Sequence, residues 1–206
     1  MNNTFILDFE TTGLNPYYDE IIEIAIKKYD SEDIYTKLAK PINNKLTPKI
    51  TQITNITNEM LSKEGINIYT AFDEMLNFII SKLDDDGPIY LIAHNGTMFD
   101  FILLQNLFKK YNSINTLSDE IKKIYFRFKY IDSLLLSRYV LDNRYTYSQK
   151  ALAKTYFINQ ENAHRAFDDV IVLEQIFNKL CENSNIKNKI NSFNIEGIYN
   201  LLYKFI

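Results

Sequence analysis

Two carboxylates near the start of the chain, Asp8 and Glu10, have a spacing that suits chemistry. They lie two residues apart in a short apolar run, and side chains two apart in a strand point to the same face. Burying two like charges on one face is costly unless a cation lies beside them. The pair alone leaves two interpretations equally open: a cation site, or a strand end whose acids are both in water.

Two more acids, Asp100 and Asp169, fall near the starts of predicted helices. An acid at a helix start can be merely a partner of the helix dipole. Four acids from three distant segments nevertheless form an oxygen-rich donor set, which suits Mg²⁺ or Mn²⁺ rather than zinc. Two such ions can clamp the attacking and leaving oxygens of a phosphodiester. A histidine beside them, such as His164, can take the proton of the attacking water.

The elements that must position these acids follow from the pattern of apolar residues. The predicted strands are 4–9, 21–29, 34–40 and 89–93. The predicted helices are a short one near 57–61, then 70–83, 99–111, 133–141, 148–156, 166–181 and 195–206. Strands followed by a strand between helices indicate one α/β domain, a mixed sheet covered by helices.

Composition supports a globular chain with one main domain. The 206 residues are 46% hydrophobic and 24% charged, which excludes disordered, collagen-like and simple coiled-coil proteins. Cys181 is the single cysteine, so an internal disulfide and a thiolate zinc site are excluded. No apolar run reaches the roughly 18 residues of a membrane helix, so no membrane partner is expected. A cytoplasmic, intracellular setting is predicted.

Three segments resemble the exonuclease motifs of DnaQ-like, DEDDh-type 3′–5′ exonucleases. They are 5–14 (FILDFETTGL), 93–100 (AHNGTMFD) and 164–169 (HRAFDD), where a histidine precedes the last aspartate by five residues. The resemblance extends over residues 4–180. It implies an RNase-H-like fold with a mixed five-stranded sheet flanked by helices.

The same resemblance implies roles for the motif residues. Two divalent cations, Mg²⁺ with Mn²⁺ able to substitute, would be held by four carboxylates, and His164 would be the general base. The four carboxylates are Asp8, Glu10, Asp100 and Asp169. The histidine spacing selects Asp169 over its neighbour Asp168. The other histidine, His94, is expected to pack or hydrogen-bond near the end of its strand.

Contacts to the terminal nucleotide are also carried over from the resemblance. The candidate residues are Thr11, Thr12, Leu14, Ile56, Asn95, Phe99 and Arg165. Residues 53–57 resemble a family segment of the form V-H-G-I-T, with Thr54 in place of histidine and Asn55 in place of glycine. Asparagine tolerates a left-handed backbone, so the turn is expected to survive. For Ile56, a base contact and plain core packing remain equally open.

The charge distribution is uneven although the net charge is only −3. Residues 109–165 carry 11 Lys and Arg against 5 acids, and tyrosines and phenylalanines lie among them. Basic and aromatic residues together are typical of single-strand binding surfaces. Most of this segment is equally typical of an ordinary helix face. Lys150, Lys154 and Arg165 are the better candidates, because they lie near the third motif.

The sequence therefore predicts a metal-dependent 3′–5′ exonuclease that acts on single-stranded 3′ ends and releases nucleoside 5′-monophosphates, with DNA favoured over RNA. One alternative is an RNA-trimming exoribonuclease of the same family. Another is a proofreading subunit that docks on a polymerase or another replication or repair partner through its C-terminal helix. The exonuclease domain is predicted to span 1–182, and 183–206 to be a polar loop and a helix packed on that domain. The oligomeric state is not predicted.

Overall fold

The computed structural model describes residues 3–43, 45–114, 118–142, 144–159, 165–183, 186 and 195–203. A mixed sheet with the strand order β4-β3-β2-β1-β5-β6 forms its centre. The strands are β1 (Thr4–Thr11), β2 (Ile21–Lys28), β3 (Ile34–Lys40), β4 (Ile66–Asn67), β5 (Ile89–Ala93) and β6 (Phe128–Asp132). β1, β2 and β3 pair antiparallel, whereas β5 and β6 continue the sheet from β1 in parallel.

The predicted mixed sheet flanked by helices is confirmed, but the sheet has six strands rather than five. The additional strand is β4, whose two residues pair with Ala39 and Lys40 at the edge. Two residues are too few to produce a periodic pattern, so this strand carries no sequence signal. β6 was not predicted from its own pattern either, because its apolar residues are interrupted by Lys129.

Helices cover both faces of the sheet. They are α1 (Pro48–Thr54), α2 (Asn58–Glu64), α3 (Ile68–Ser81), α4 (Asp100–Ile114), α5 (Asp119–Arg127), α6 (Ser133–Val140), α7 (Gln149–Thr155), α8 (Ala166–Cys181) and α9 (Ile195–Tyr203). Side-chain oxygens cap several of them; the hydroxyl of Thr57, for example, accepts the N–H of Met60 at the start of α2. Within the described residues, no helix has both the length and the apolar character needed to cross a bilayer.

Strand alternation decides which face receives the carboxylates. Phe5, Leu7 and Phe9 of β1 pack into one core with α3 and α4. Ile6 points the other way, into a second core built with α6, α7, α8 and α9. Asp8 shares the parity of Ile6, and so does Glu10, so both acids project toward the face covered by α7 and α8.

The C-terminal helix α9 packs on the domain itself. Ile195, Ile198 and Leu202 are buried in the second core, and Tyr199 lies edge-on to Tyr90 with ring centroids 5.9 Å apart. Phe205, which the sequence places on the same apolar face, lies outside the described residues. The apolar face of α9 is therefore used for internal packing.

Candidate active site

Three carboxylates from two elements converge at the end of β1. Each of Asp8, Glu10 and Asp169 offers an oxygen within 4.8 Å of the others. Strand alternation brings the first two to one face, and α8 brings Asp169 from its first turn, where its N–H donates to the carbonyl of Arg165 at 2.9 Å. Asp8 and Glu10 are partly exposed, so the cluster is open to solvent on one side.

Asp100 lies beside this group rather than within it. It is the first residue of α4, is 4% exposed, and accepts the N–H of Phe9 on Oδ1 at 3.3 Å. Its charge raises the pKa of Asp8 more than any other neighbouring charge does. The sequence predicted four carboxylates in one site; three are within mutual reach, and the role of Asp100 as a ligand stays a prediction.

The carboxylates repel one another in this arrangement. Burial, and then the charges of neighbouring acids, raise the pKa of Asp8 well above its usual range and that of Glu10 to about 8. Burial likewise raises the pKa of Asp100 to about 7, although two backbone N–H groups oppose the shift. Carboxylates with raised pKa values resist ionisation, and a nearby cation would reverse this by stabilising the charged forms.

Glu23 is a further acid at the site that the sequence analysis missed. It lies opposite Glu10 in the β1–β2 register and is 2% exposed. Its carboxylate accepts hydrogen bonds from Nε of Arg165 at 3.2 Å, from Nη2 at 2.7 Å, and from the N–H of Ala166 at 3.0 Å. The signal was available: a glutamate inside an otherwise apolar strand must have a partner when it is buried.

Arg165 therefore makes its hydrogen bonds within the protein itself. Its guanidinium holds Glu23 and leaves about a third of the side chain exposed. The ion pair ties β2 to the start of α8, the helix that carries Asp169. Contact between Arg165 and substrate stays a prediction.

Gln149 supports the same aspartate from the other side. Its side-chain N–H group donates to Oδ1 of Asp169 at 3.2 Å and to the carbonyl of that residue at 2.9 Å. Because Gln149 begins α7, the contact also fixes α7 beside the carboxylates. No pattern in the sequence distinguished this glutamine from a surface residue.

The residues after Glu10 form a hydrogen-bonded turn. Thr11 and Thr12 are buried; the Thr11 hydroxyl donates to the carbonyl of Gly13 at 2.5 Å, and the Thr12 hydroxyl donates to Asp19 at 3.0 Å. Leu14 is 86% exposed at this turn. Leu14 is thus accessible to a ligand, whereas the threonine hydroxyls shape the turn that presents it.

Ile56 lies in a small core rather than at the surface. Its side chain is fully buried with Ile22, Leu38 and Leu61, which supports the packing alternative, and a contact between Ile56 and a base stays a prediction. Ile53, in the same segment, is 39% exposed. Asn55 adopts the expected left-handed conformation, with φ 57° and ψ 15°, and ends α1.

The loop of the second motif is held by a buried aspartate that was not predicted. Asp132 accepts the N–H of Asn95 and that of Thr97, each at 3.0 Å. Asn95 has a left-handed backbone and an exposed side chain, whereas Phe99 is half-buried against the first core. Asn95 is therefore accessible to a ligand, and Phe99 is so only in part.

Of the two histidines, His94 lies within the described residues. Nδ1 of His94 lies 2.9 Å from the hydroxyl of Ser133, and burial lowers the pKa of His94. This contact agrees with the packing and hydrogen-bonding role expected for it. His164, the predicted general base, lies outside the described residues.

The donor chemistry of the site suits hard divalent cations. The converging side chains, Asp8, Glu10 and Asp169, offer oxygen atoms only. Cys181, the single thiol, is buried near the C-terminal end of α8, about 18 Å along the helix axis from Asp169. The arrangement fits Mg²⁺ or Mn²⁺ and does not resemble a thiolate site.

Comparisons with known proteins identify relatives of this chain. The model of the exonuclease family RNase_T matches residues 5–177. The chain is 34% identical over 185 residues to the PolC-type DNA polymerase III of Thermotoga petrophila, covering 88% of this chain and 12% of that protein. It is 32% identical over 187 residues to exonuclease DPD1, chloroplastic/mitochondrial, of Arabidopsis thaliana, covering 85% of this chain and 55% of that protein.

Solved structures show the same fold at lower sequence identity. Exonuclease X in complex with 5′ overhanging duplex DNA superposes with a TM-score of 0.64 and 19% identity, covering 97% of this chain and 99% of that one. E. coli exonuclease I in complex with a dT13 oligonucleotide gives a TM-score of 0.71 and 19% identity, covering 89% of this chain and 42% of that one.

Proposed function

The chain belongs to the exonuclease family RNase_T, and on that premise we propose that it is a metal-dependent 3′–5′ exonuclease. It hydrolyses the terminal phosphodiester of a single-stranded 3′ end and releases nucleoside 5′-monophosphates. The observation that carries the proposal is the convergence of Asp8, Glu10 and Asp169 within 4.8 Å.

Divalent cations fit this cluster because they offset the burial and the repulsion that raise the pKa values of Asp8 and Glu10. Asp8, Glu10 and Asp169 would hold them, with Asp100 as the fourth carboxylate. Bound there, such ions stabilise negative charge on the attacking and leaving oxygens of a phosphodiester. We propose Mg²⁺ as the ion, with Mn²⁺ able to substitute.

The residues of the chain supply positioning and proton transfer. Gln149 and the Glu23–Arg165 pair orient α8, and hence the carboxylate of Asp169. His164 takes the proton of the attacking water, as the third motif implies. Leu14, exposed at the turn after Glu10, contacts the terminal base.

We favour DNA as the substrate over RNA. The exonuclease X and exonuclease I neighbours are complexes with DNA, and the PolC relative is a DNA polymerase. The RNA-trimming alternative differs in one respect that can be measured, which is the acceptance of a 2′-hydroxyl at the 3′ end.

Association with a polymerase is a second candidate. It is supported by the PolC relatives, in which the matching segment makes up 12% of a polymerase chain. The packing of Ile198 and Leu202 inside the domain argues against α9 as the docking element. Adding a replicative polymerase would then increase the removal of a mismatched 3′ nucleotide, and the increase would survive substitutions on the exposed side of α9.

The direct experiment follows 5′-labelled DNA and RNA strands of one sequence, with and without Mg²⁺. We expect a ladder that shortens from the 3′ end, nucleoside 5′-monophosphate as product, faster loss of DNA, full inhibition by EDTA and recovery with Mn²⁺. Immediate release of the 5′-terminal nucleotide, or degradation that persists in EDTA, would contradict the proposal.

A further inference from the structure

We propose that α7 and its flanking turns bind the single strand upstream of the bond that is cut, without reading its sequence. The binding surface consists of Tyr145, Lys150, Lys154 and Phe157, and is called the α7 surface below. The inference rests on the proposed function, because its ligand is the strand whose 3′ end lies at the carboxylates.

The position of α7 places this surface next to the site. Gln149, the first residue of α7, contacts Asp169 directly. Leu152 and Ala153, on the inner side of the same helix, are buried in the core that contains Ile6, on the face from which Asp8 and Glu10 project. A strand that leaves the carboxylates past Gln149 therefore runs along α7.

The two lysines of the surface have no anionic partner among the described residues. Lys150 and Lys154 are four apart in α7, so they share one helix face, and both are exposed. In contrast, Lys27 and Lys82 each lie 2.7 Å from a carboxylate. Unpaired lysines on one face are suited to phosphate groups, whose contacts are sequence-independent.

Two aromatic residues that flank α7 are exposed, and packing within the domain does not account for their positions. Tyr145 is fully exposed, and Phe157 is 96% exposed. Phe157 has a φ of 55° just after the end of α7, and the next N–H, of Ile158, donates back to the carbonyl of Ala153 at 2.9 Å. Glycine is the usual residue at such a helix end, because a side chain there is strained.

A strained aromatic residue held in water suggests a ligand-binding role. Bases stack on aromatic rings irrespective of sequence, and phosphates pair with lysines, so two ammonium groups flanked by aromatic rings fit a single strand. The local charge agrees, since residues 144–159 carry three basic residues, Arg144, Lys150 and Lys154, and no acid. We therefore assign the surface to single-stranded nucleic acid rather than to a protein or a membrane.

Binding is tested first, by fluorescence anisotropy of a labelled single strand in EDTA over a range of salt concentrations. A strand of about 16 nucleotides is long enough to pass the site. For the double variant Lys150→Ala, Lys154→Ala, we expect about tenfold weaker binding and a salt slope lower by about 1.4, the value for two phosphate contacts to a single strand. Phe157→Ala should weaken binding about fivefold or more, with less change in the salt slope.

The matched control is the double variant Lys109→Ala, Lys123→Ala. It removes the same charge from the exposed sides of α4 and α5, which pack against the opposite face of the sheet. We expect the affinity of this control for the single strand to stay within about twofold of the wild-type affinity. An equal loss of affinity for the single strand in both double variants would overturn the proposal, because general electrostatics would then explain the loss. The proposal would also be overturned if the α7 double variant lost as much affinity for blunt duplex DNA as for the single strand.

Hydrolysis separates this proposal from the proposed function. In Mg²⁺, the α7 variants should lose activity on the long strand through KM rather than kcat. Wild type is also assayed on the p-nitrophenyl ester of thymidine 5′-monophosphate, which is too short to reach α7. If wild type cleaves the ester and the α7 variants bind and cleave the strand normally, the proposed role of the α7 surface is wrong and the exonuclease proposal is retained. If wild type cleaves neither substrate, the exonuclease proposal is wrong, and the binding data alone test the α7 surface.

Discussion

The buried carboxylate of Glu23 holds Arg165 through two hydrogen bonds, of 2.7 Å to Nη2 and 3.2 Å to Nε. The pair joins the second strand of the sheet to the helix that supplies Asp169. It also brings the positive charge of Arg165 next to Glu10, whose pKa it lowers against the opposing effects of burial and nearby acids.

Arg165→Gln should destabilise the metal-free protein. The substitution leaves the Glu23 carboxylate buried without its cation, beside Asp8 and Glu10. Breaking a buried pair costs about 3–5 kcal/mol, and we expect the lower end because Arg165 is a third exposed. Urea unfolding in EDTA measures the loss. Arg138→Gln, at an exposed position on α6, is the control and should change the free energy of unfolding by less than about 0.5 kcal/mol. Equal effects would show that the Glu23–Arg165 pair contributes nothing specific.

Asp8→Asn should stabilise the metal-free protein while it abolishes hydrolysis. The change removes one charge from a cluster in which Asp100, Glu10 and Asp169 all raise the pKa of Asp8. Relieving such strain at an active site gives about 1–2 kcal/mol. Thermal unfolding in EDTA is the measurement. A lower melting temperature for the variant would mean that repulsion between the carboxylates does not destabilise the metal-free protein.

The stability of the metal-free protein should fall as the pH rises through neutrality. Glu10 and Asp100 have folded-state pKa values raised to about 8 and about 7, against about 4.3 and 3.9 in an unfolded chain. Between these values the folded state binds more protons than the unfolded state, so the free energy of unfolding decreases with pH. The penalty is negligible below about pH 4 and complete above about pH 8. Urea midpoints in EDTA at several pH values test this, and Mg²⁺ should flatten the decline. A midpoint that rises from pH 5 to pH 8 in EDTA would contradict the description of the cluster.

Gln149→Leu should impair metal binding through Asp169, because it removes the donor that orients this carboxylate. Loss of an outer partner of a metal ligand typically weakens metal affinity or activity 10–100-fold. The Mn²⁺ concentration that gives half-maximal activity should increase in Gln149→Leu. It should increase further in Gln149→Glu, because that substitution places a like charge beside Asp169. Gln52→Leu, exposed on α1, is the control. A Gln149→Leu titration that overlays the wild-type curve would remove Gln149 from the site.

The carboxylates on β1 could be predicted because strand alternation is a local rule that places Asp8 and Glu10 on one face. Asp169 followed from the histidine spacing of its motif. Glu23 and Gln149 were missed because their roles come from tertiary contacts with residues 142 and 20 positions away, respectively. The short edge strand β4 has no periodicity to detect, and the full burial of Ile56 depends on how α1 and α2 pack on the sheet.

The neighbouring residues Asp168 and Asp169 provide the most direct test of the central claim. Both lie in the first turn of α8, but only Asp169 belongs to the carboxylate cluster. Mg²⁺-dependent hydrolysis of a 5′-labelled single strand should fall by about a thousandfold or more in Asp169→Asn and change by less than about threefold in Asp168→Asn. Both variants should unfold at temperatures close to or above that of wild type. Full activity in Asp169→Asn, or equal losses in the two variants, would contradict the account.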